Sequence, residues 1–120
     1  MRVNELIGAQ LDHWVARANG WTFGPPHKIH EFDVWRDSAG KITGTIPAQA
    51  YKPSKNWDQG GLIMGEHAIG FHPISDAEWL AEEHVTACTG RGPTPLIAAM
   101  RAYVASKFGD EVQEGSESNG

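Results

Sequence analysis

Cysteine is almost missing from this chain of 120 residues: Cys88 is the only one. An intramolecular disulfide is therefore excluded, and so is a zinc site built on several thiolates. Positive charge is scarce too. Ten Lys and Arg stand against fifteen Asp and Glu, a formal net charge of −5, and the ten form no cluster. Proteins that grip the phosphates of double-stranded DNA show a basic face, so that partner is not expected. No apolar run approaches the ~18 residues of a membrane span, and no apolar core of a secretory leader stands near the start. The expectation is a soluble protein of the cytoplasm, without a membrane partner. Hydrophobic residues make up only 40%, beside 14 glycines, which favours long glycine-rich connections over a thick core. One domain over 1–113 is expected, burying roughly two-thirds of its unfolded surface. The stretch 114–120, EGSESNG, is too polar to bury and reads as a disordered tail.

The clearest signal is a helix over 94–108. Gly90, Arg91, Gly92 and Pro93 should not continue a regular element, Thr94 is a good N-cap, and Pro95 suits the first helical position. Leu96, Met100, Tyr103, Val104 and Phe108 then recur at three- and four-residue spacing, one apolar stripe. Lys107 suits the negative end of the dipole and Gly109 the position after it. A first helix runs from Asn4, as cap, through about Ala18. Ile7, Leu11, Trp14, Val15 and Ala18 share its inner face, Glu5, Asp12 and Arg17 face water, and Asn19-Gly20 ends it.

Between the helices the pattern turns to strand. Residues 29–36 and 41–46 alternate around the turn residues 37–40 and predict a hairpin. The segment 48–66 resists assignment: Ser54 could open a short helical turn carrying Asn56, Trp57 and Asp58, but Gly60-Gly61 should stop it. Ile69 and Phe71 suggest a strand, and Ser75-Asp76 a turn. For 79–88, Ser75 and Glu78 have capping-box spacing and argue helix, whereas Trp79, Ala81, Val85 and Ala87 alternate. Strand is preferred, because Ile69 and Phe71 need a neighbour. The predicted fold is α+β: about four antiparallel strands with the N- and C-terminal helices on one face, and enough uncovered surface for a homodimer.

Candidate chemistry is thin. His27 and His30 are three apart, His67 and His72 five apart, and His84 precedes Cys88 by four, about 13 Å along a strand. None has the spacing of a zinc signature, and no metal or other cofactor is expected. Ser38, Ser54, Ser75 and Ser106 lack a nucleophile elbow, Cys88 reads as a buried, inert thiol, and the acid pairs Glu82-Glu83 and Asp110-Glu111 read as surface. No catalytic residue is predicted, and enzyme activity is unsupported. Two leads remain. Arg91, between two glycines, and Thr94 stand at a helix N-terminus, where free N–H groups favour an anion. Tyr51, Asn56, Trp57 and Asp58 combine aromatic faces with short polar groups suited to a planar ligand or a protein. If the two regions meet, they form one polar hollow.

Three stretches, NELIGAQLDHWVARANG, YKPSKNWDQGGLIM and GPTPLIAAMRAYVASKFGDEV, resemble the NinX-like family of small phage and prophage proteins in order and spacing. The resemblance implies phage origin and a setting in the host cytoplasm. It carries over neither a mechanism nor a catalytic residue. The function expected is that of a non-enzymatic accessory protein that binds a host or phage protein. The alternative is a small-ligand binder that sequesters a nucleotide-like anion between 51–61 and 90–95.

Overall fold

The computed structural model describes residues 1–20 and 52–113, and between them the backbone of three short strands: β1 (Thr22–Phe23), β2 (Trp35–Arg36) and β3 (Ile42–Gly44). Expectations for Trp21, His27, His30, most of the hairpin arms, Tyr51 and the tail 114–120 lie outside the described residues.

A single 3-10 turn, Val3–Glu5, precedes α1 (Gly8–Ala18). Asn4 does not cap it. The cap is Ile7, extended at φ −147° and without a side-chain hydrogen bond. Starting at Gly8 takes Ile7 off the stripe, so it is exposed, while Leu11, Trp14 and Val15 are buried as their spacing predicts. Asp12, expected in water, is buried instead. β1, β2 and β3 form an antiparallel three-stranded sheet, with Trp35↔Gly44 and Arg36↔Ile42 paired as the hairpin required.

α2 (Trp57–His67) runs through the glycines that were expected to stop it. Asn56 caps it: its Oδ1 accepts the N–H groups of Asp58 (2.8 Å) and Gln59 (3.3 Å). Helical glycine costs up to about 1 kcal/mol, but at position 60 packing requires it. A Cβ there would collide with the Pro53 carbonyl and lie 2.6 Å from Leu96 Cδ1. Ala68, left-handed at φ 51°, turns the chain into β4 (Ile69–Ser75). β5 (Glu78–Glu83) pairs antiparallel with β4 from Ile69↔Glu83 to Ser75↔Glu78, with an irregularity between Pro73 and Ser75. The strand reading of 79–88 therefore holds to Glu83. Residues 84–86 turn, which puts Val85 in solvent rather than in the core.

β6 (Thr89–Gly92) pairs with β5, so Gly90-Arg91-Gly92 is a strand and corrects the expectation that it could not be. The glycines serve the helix above. A Cβ on Gly90 would collide with Ala102 N and the Ala98 carbonyl, and one on Gly92 would lie 2.7 Å from Ile97 Cγ2. That helix, α3 (Pro95–Phe108), has the predicted start: Thr94 Oγ1 accepts the Ile97 N–H at 3.1 Å, and Pro95 is in the first turn. Its predicted single apolar side is too narrow. Every residue from Leu96 to Ala105 is buried, Arg101 included, while Phe108 is exposed. The sheet β4–β5–β6 lies beneath it, and α1, α2 and the 3-10 turn pack against it. The architecture is α+β. In place of one sheet of about four strands there are two three-stranded sheets among the described residues. α3 lies on the second, and α1 packs against α3. The chain ends meet: Val3 N–H donates to the Asp110 carbonyl (2.8 Å) and Val112 N–H to the Met1 carbonyl (2.9 Å).

Two alanine substitutions separate close approach from propensity. Gly90→Ala should lower stability by about 2 kcal/mol or more, because backbone atoms of α3 must move. Gly65→Ala, in α2 with nothing within 4 Å of a Cβ, should raise it by about 0.5–1 kcal/mol. Urea denaturation of both variants measures the contrast.

Candidate functional site

The predicted site residues fall in different places. Trp57 is the first residue of α2 and 54% exposed, with exposed Asp58 beside it and Asn56 as the cap. Thr94 caps α3 in the same way. Gly60 of α2 meets Leu96 of α3, so the first turns of the two helices are neighbours. Arg91 is set apart from them. Gly90 and Gly92 on either side of it face α3, so strand alternation points the Arg91 side chain to the opposite face of the sheet. Its main chain is also occupied: the N–H donates to Asn4 Oδ1 (3.1 Å), and Arg101 Nη1 donates to the carbonyl (2.5 Å).

A cleft of ≈ 1040 Å³ lies where the chain ends meet, between Arg2, Asn4 and Glu5 on one side and Phe108, Asp110 and Glu111 on the other. A second, ≈ 390 Å³, lies over Gly70, His72, Leu80, Glu82 and His84. Neither includes residues 56–58 or 91–94.

An aromatic edge appears that the periodicity did not reveal. The Trp57 ring centroid is 6.2 Å from that of Phe71, which is 5.7 Å from that of Trp79. Register explains the grouping. Phe71 pairs with Ala81 and Ala81 with Gly90, while Pro73 pairs with Trp79 and Trp79 with Gly92. Both rows stand on the α3 side of the sheet. α2 brings Trp57 to that face, yet Phe71 stays 41% exposed and all of β4 beyond Ile69 faces solvent. β4 is an edge strand. The opposite edge, β6, is closed at Arg91 by Asn4 and Arg101; β4 has no strand on its outer side among the described residues. One signal was available in the sequence: residues 56–90 carry six Asp and Glu and no Lys or Arg.

Ionisable groups with shifted titration are tied up elsewhere. Burial raises Asp12 above its ordinary 3.8, opposed by the Ser54 N–H that its Oδ1 accepts at 2.8 Å and by Lys55 and Lys52. The enclosed Ser54 hydroxyl favours the same carboxylate by proximity but makes no well-formed hydrogen bond. Glu83 is held below its ordinary 4.5, chiefly by the Thr86 N–H (2.7 Å), with the Thr86 hydroxyl at 2.9 Å assisting. Burial pushes Tyr103 up to about 12, with Glu66 adding to the shift, and its hydroxyl donates to Asn19 Oδ1 at 2.8 Å. Burial lowers Arg101, which stitches α3 to the Leu6 carbonyl (2.9 Å) and to β6. None of the four lines either cleft. Cys88 is half-buried rather than buried, and His84 stands in the turn before it rather than with it on one strand. Among the described residues no three His, Cys, Asp or Glu are grouped to hold a metal, and no helix is long and apolar enough to cross a membrane.

Comparison with protein families matches the chain, over residues 2–107, to the family described as Bacteriophage P22, NinX. Comparison with curated proteins gives no match.

Asp12 supplies a pH test. Its folded value is raised, so the fold binds its proton more tightly than the unfolded chain does, and its contribution to stability falls as pH rises from 3.8 through that raised value. Asp12→Asn keeps an acceptor for Ser54 N–H and offers the Ser54 hydroxyl a donor. It should be more stable than wild type at neutral pH, with the advantage shrinking in acid. Asp12→Ala orphans the buried Ser54 N–H and should cost about 1–3 kcal/mol. Denaturation at several pH values checks both. Trp57→Ala should cost only about 1 kcal/mol, whereas a buried tryptophan would cost about 3–5.

Proposed function

We propose a function from one premise: the chain belongs to the phage NinX family. As a phage accessory protein it acts in the host cytoplasm by binding a host or phage protein, without catalysing a reaction. The observation that carries this reading is the exposed pair Trp57, on α2, and Phe71, on the edge strand β4, backed by half-buried Trp79 of β5. Aromatic side chains dominate the energetics of protein interfaces, and a cluster left in water lowers free energy once a partner covers it. The perturbed ionisable groups support the non-enzymatic part, since each is engaged in holding elements together.

The second reading, a nucleotide-like anion held by Tyr51, Asn56, Trp57, Asp58, Arg91 and Thr94, has weaker support. Asn56 and Thr94 already use their side-chain oxygens as caps, and Asp58 would repel an anion.

Capture from extracts of phage-infected host cells tests the first reading. Wild-type protein and an Asp110→Ala control should retain the same partner, and the double variant W57A/F71A should retain about tenfold less. Identical recovery by all three would refute it. Thermal shifts with nucleotides that vanish in Arg91→Ala would favour the second reading.

A further inference from the structure

Building on the protein-binding reading, we infer that the edge of β4 takes an extended, basic and apolar segment of its partner as an added strand, with the aromatic group as its anchor.

Three observations converge. First, the two edges of the sheet are treated differently. At β6 both main-chain groups of Arg91 are already bonded, by Asn4 and Arg101, so that edge offers little there to an incoming strand. β4 is exposed from Gly70 to Ser75 and lies at the other edge, with no strand on its outer side among the described residues. An added strand forms main-chain hydrogen bonds to such an edge, and alternate side chains find pockets beside it. Pro73 has no N–H to give, so the usable run is residues 69–72, directly beside the rings of Trp57 and Trp79.

Second, charge selects the occupant. Residues 56–90, which build α2, β4 and β5, expose Asp58, Glu66, Asp76 and Glu82, with Glu78 half-buried and Glu83 buried, and contain no Lys or Arg. A segment bearing Lys or Arg beside its apolar residues is complementary to this surface. A second copy of the chain is not, because it would bring the same acidic surface against itself. Residues 114–120, with two Glu and no cation, are unsuited for the same reason. Anionic polymers and anionic lipid surfaces are repelled as well.

Third, the anchor is ready before binding. Trp57 and Phe71 are in contact and partly covered by neighbouring elements, so little side-chain freedom remains to be lost.

The test uses isotope-labelled full-length protein and two synthetic peptides of one length. One alternates Lys with Val and Phe; its twin carries Glu at every Lys position. The Lys peptide should shift the amide signals of residues 69–72 and the Trp57 indole, and slow hydrogen exchange along β4. Its affinity should fall about tenfold as salt is raised, and the Glu peptide should shift nothing. Phe71→Lys should abolish the effect. So should the exposed pair Asp58→Lys and Asp76→Lys, which leaves the aromatic group intact should Phe71→Lys fail to fold. Equal shifts from both peptides, or shifts confined to the terminal cleft, overturn the inference. So does a dimer in sedimentation that Phe71→Lys dissociates, because a second copy then occupies the edge. If the peptides fail while W57A/F71A still loses its captured partner, strand addition falls and protein binding stands. If both fail, the protein-binding reading falls too.

Discussion

The contact on which the structure depends is the approach of α3 to β6 with no side chain between them. Gly90 lies so near the backbone of Ala98 and Ala102 that even a methyl group would not fit. That proximity brings helix and sheet together as a continuous surface, so dispersion contacts replace the voids that larger residues would prop open. The alanines at 98, 99, 102 and 105, all buried, keep the helix slim where neighbouring elements pack on it. A helix enclosed in this way cannot leave a charge unsatisfied. Arg101 is therefore bonded to two main-chain carbonyls, and through them it fixes both the N-terminal segment and the outer margin of β6.

What could be read in advance follows from whether the signal was local. The capping of α3 by Thr94 and Pro95 is local chemistry, and it was visible. The burial of Leu11, Trp14 and Val15 follows from spacing, and it was visible too. Gly60, Gly61, Gly90 and Gly92 read as breaks because glycine has poor intrinsic propensity, yet at 60, 90 and 92 the residue answers to atoms of another segment packed against it. Propensity does not encode that packing, even where the neighbour is near in sequence, as Ile97 is to Gly92 and Ala98 to Gly90. The same blindness hid Asp12, whose partner Ser54 is 42 positions away, and it displaced Asn4 from its expected role as a cap to a bond with Arg91.

The aromatic edge was illegible for a related reason. Local pattern places Phe71 and Trp79 in strands, but Gly60-Gly61 limits Trp57 to a short helical turn at most. Only the helix carries it over Phe71. Conversely, the hollow expected between Trp57 and Arg91 required both to face the same side, and alternation in β6 turns Arg91 away. The family match extends over nearly the whole chain, so it covers the enclosed helix and the open strand alike. Since α3 is sequestered, contact with other molecules is left to the elements around it.

The order of synthesis gives the enclosed helix a further consequence. Everything that packs on α3 leaves the ribosome before it does, and the strap between Met1 and Val112 closes later still. The earlier elements emerge with the apolar faces that α3 covers still unmatched, and the contacts made by α3 become available in one late step. Folding of this chain is therefore chiefly an event after translation of the core helix, and until then the nascent chain is exposed to chaperones and proteases.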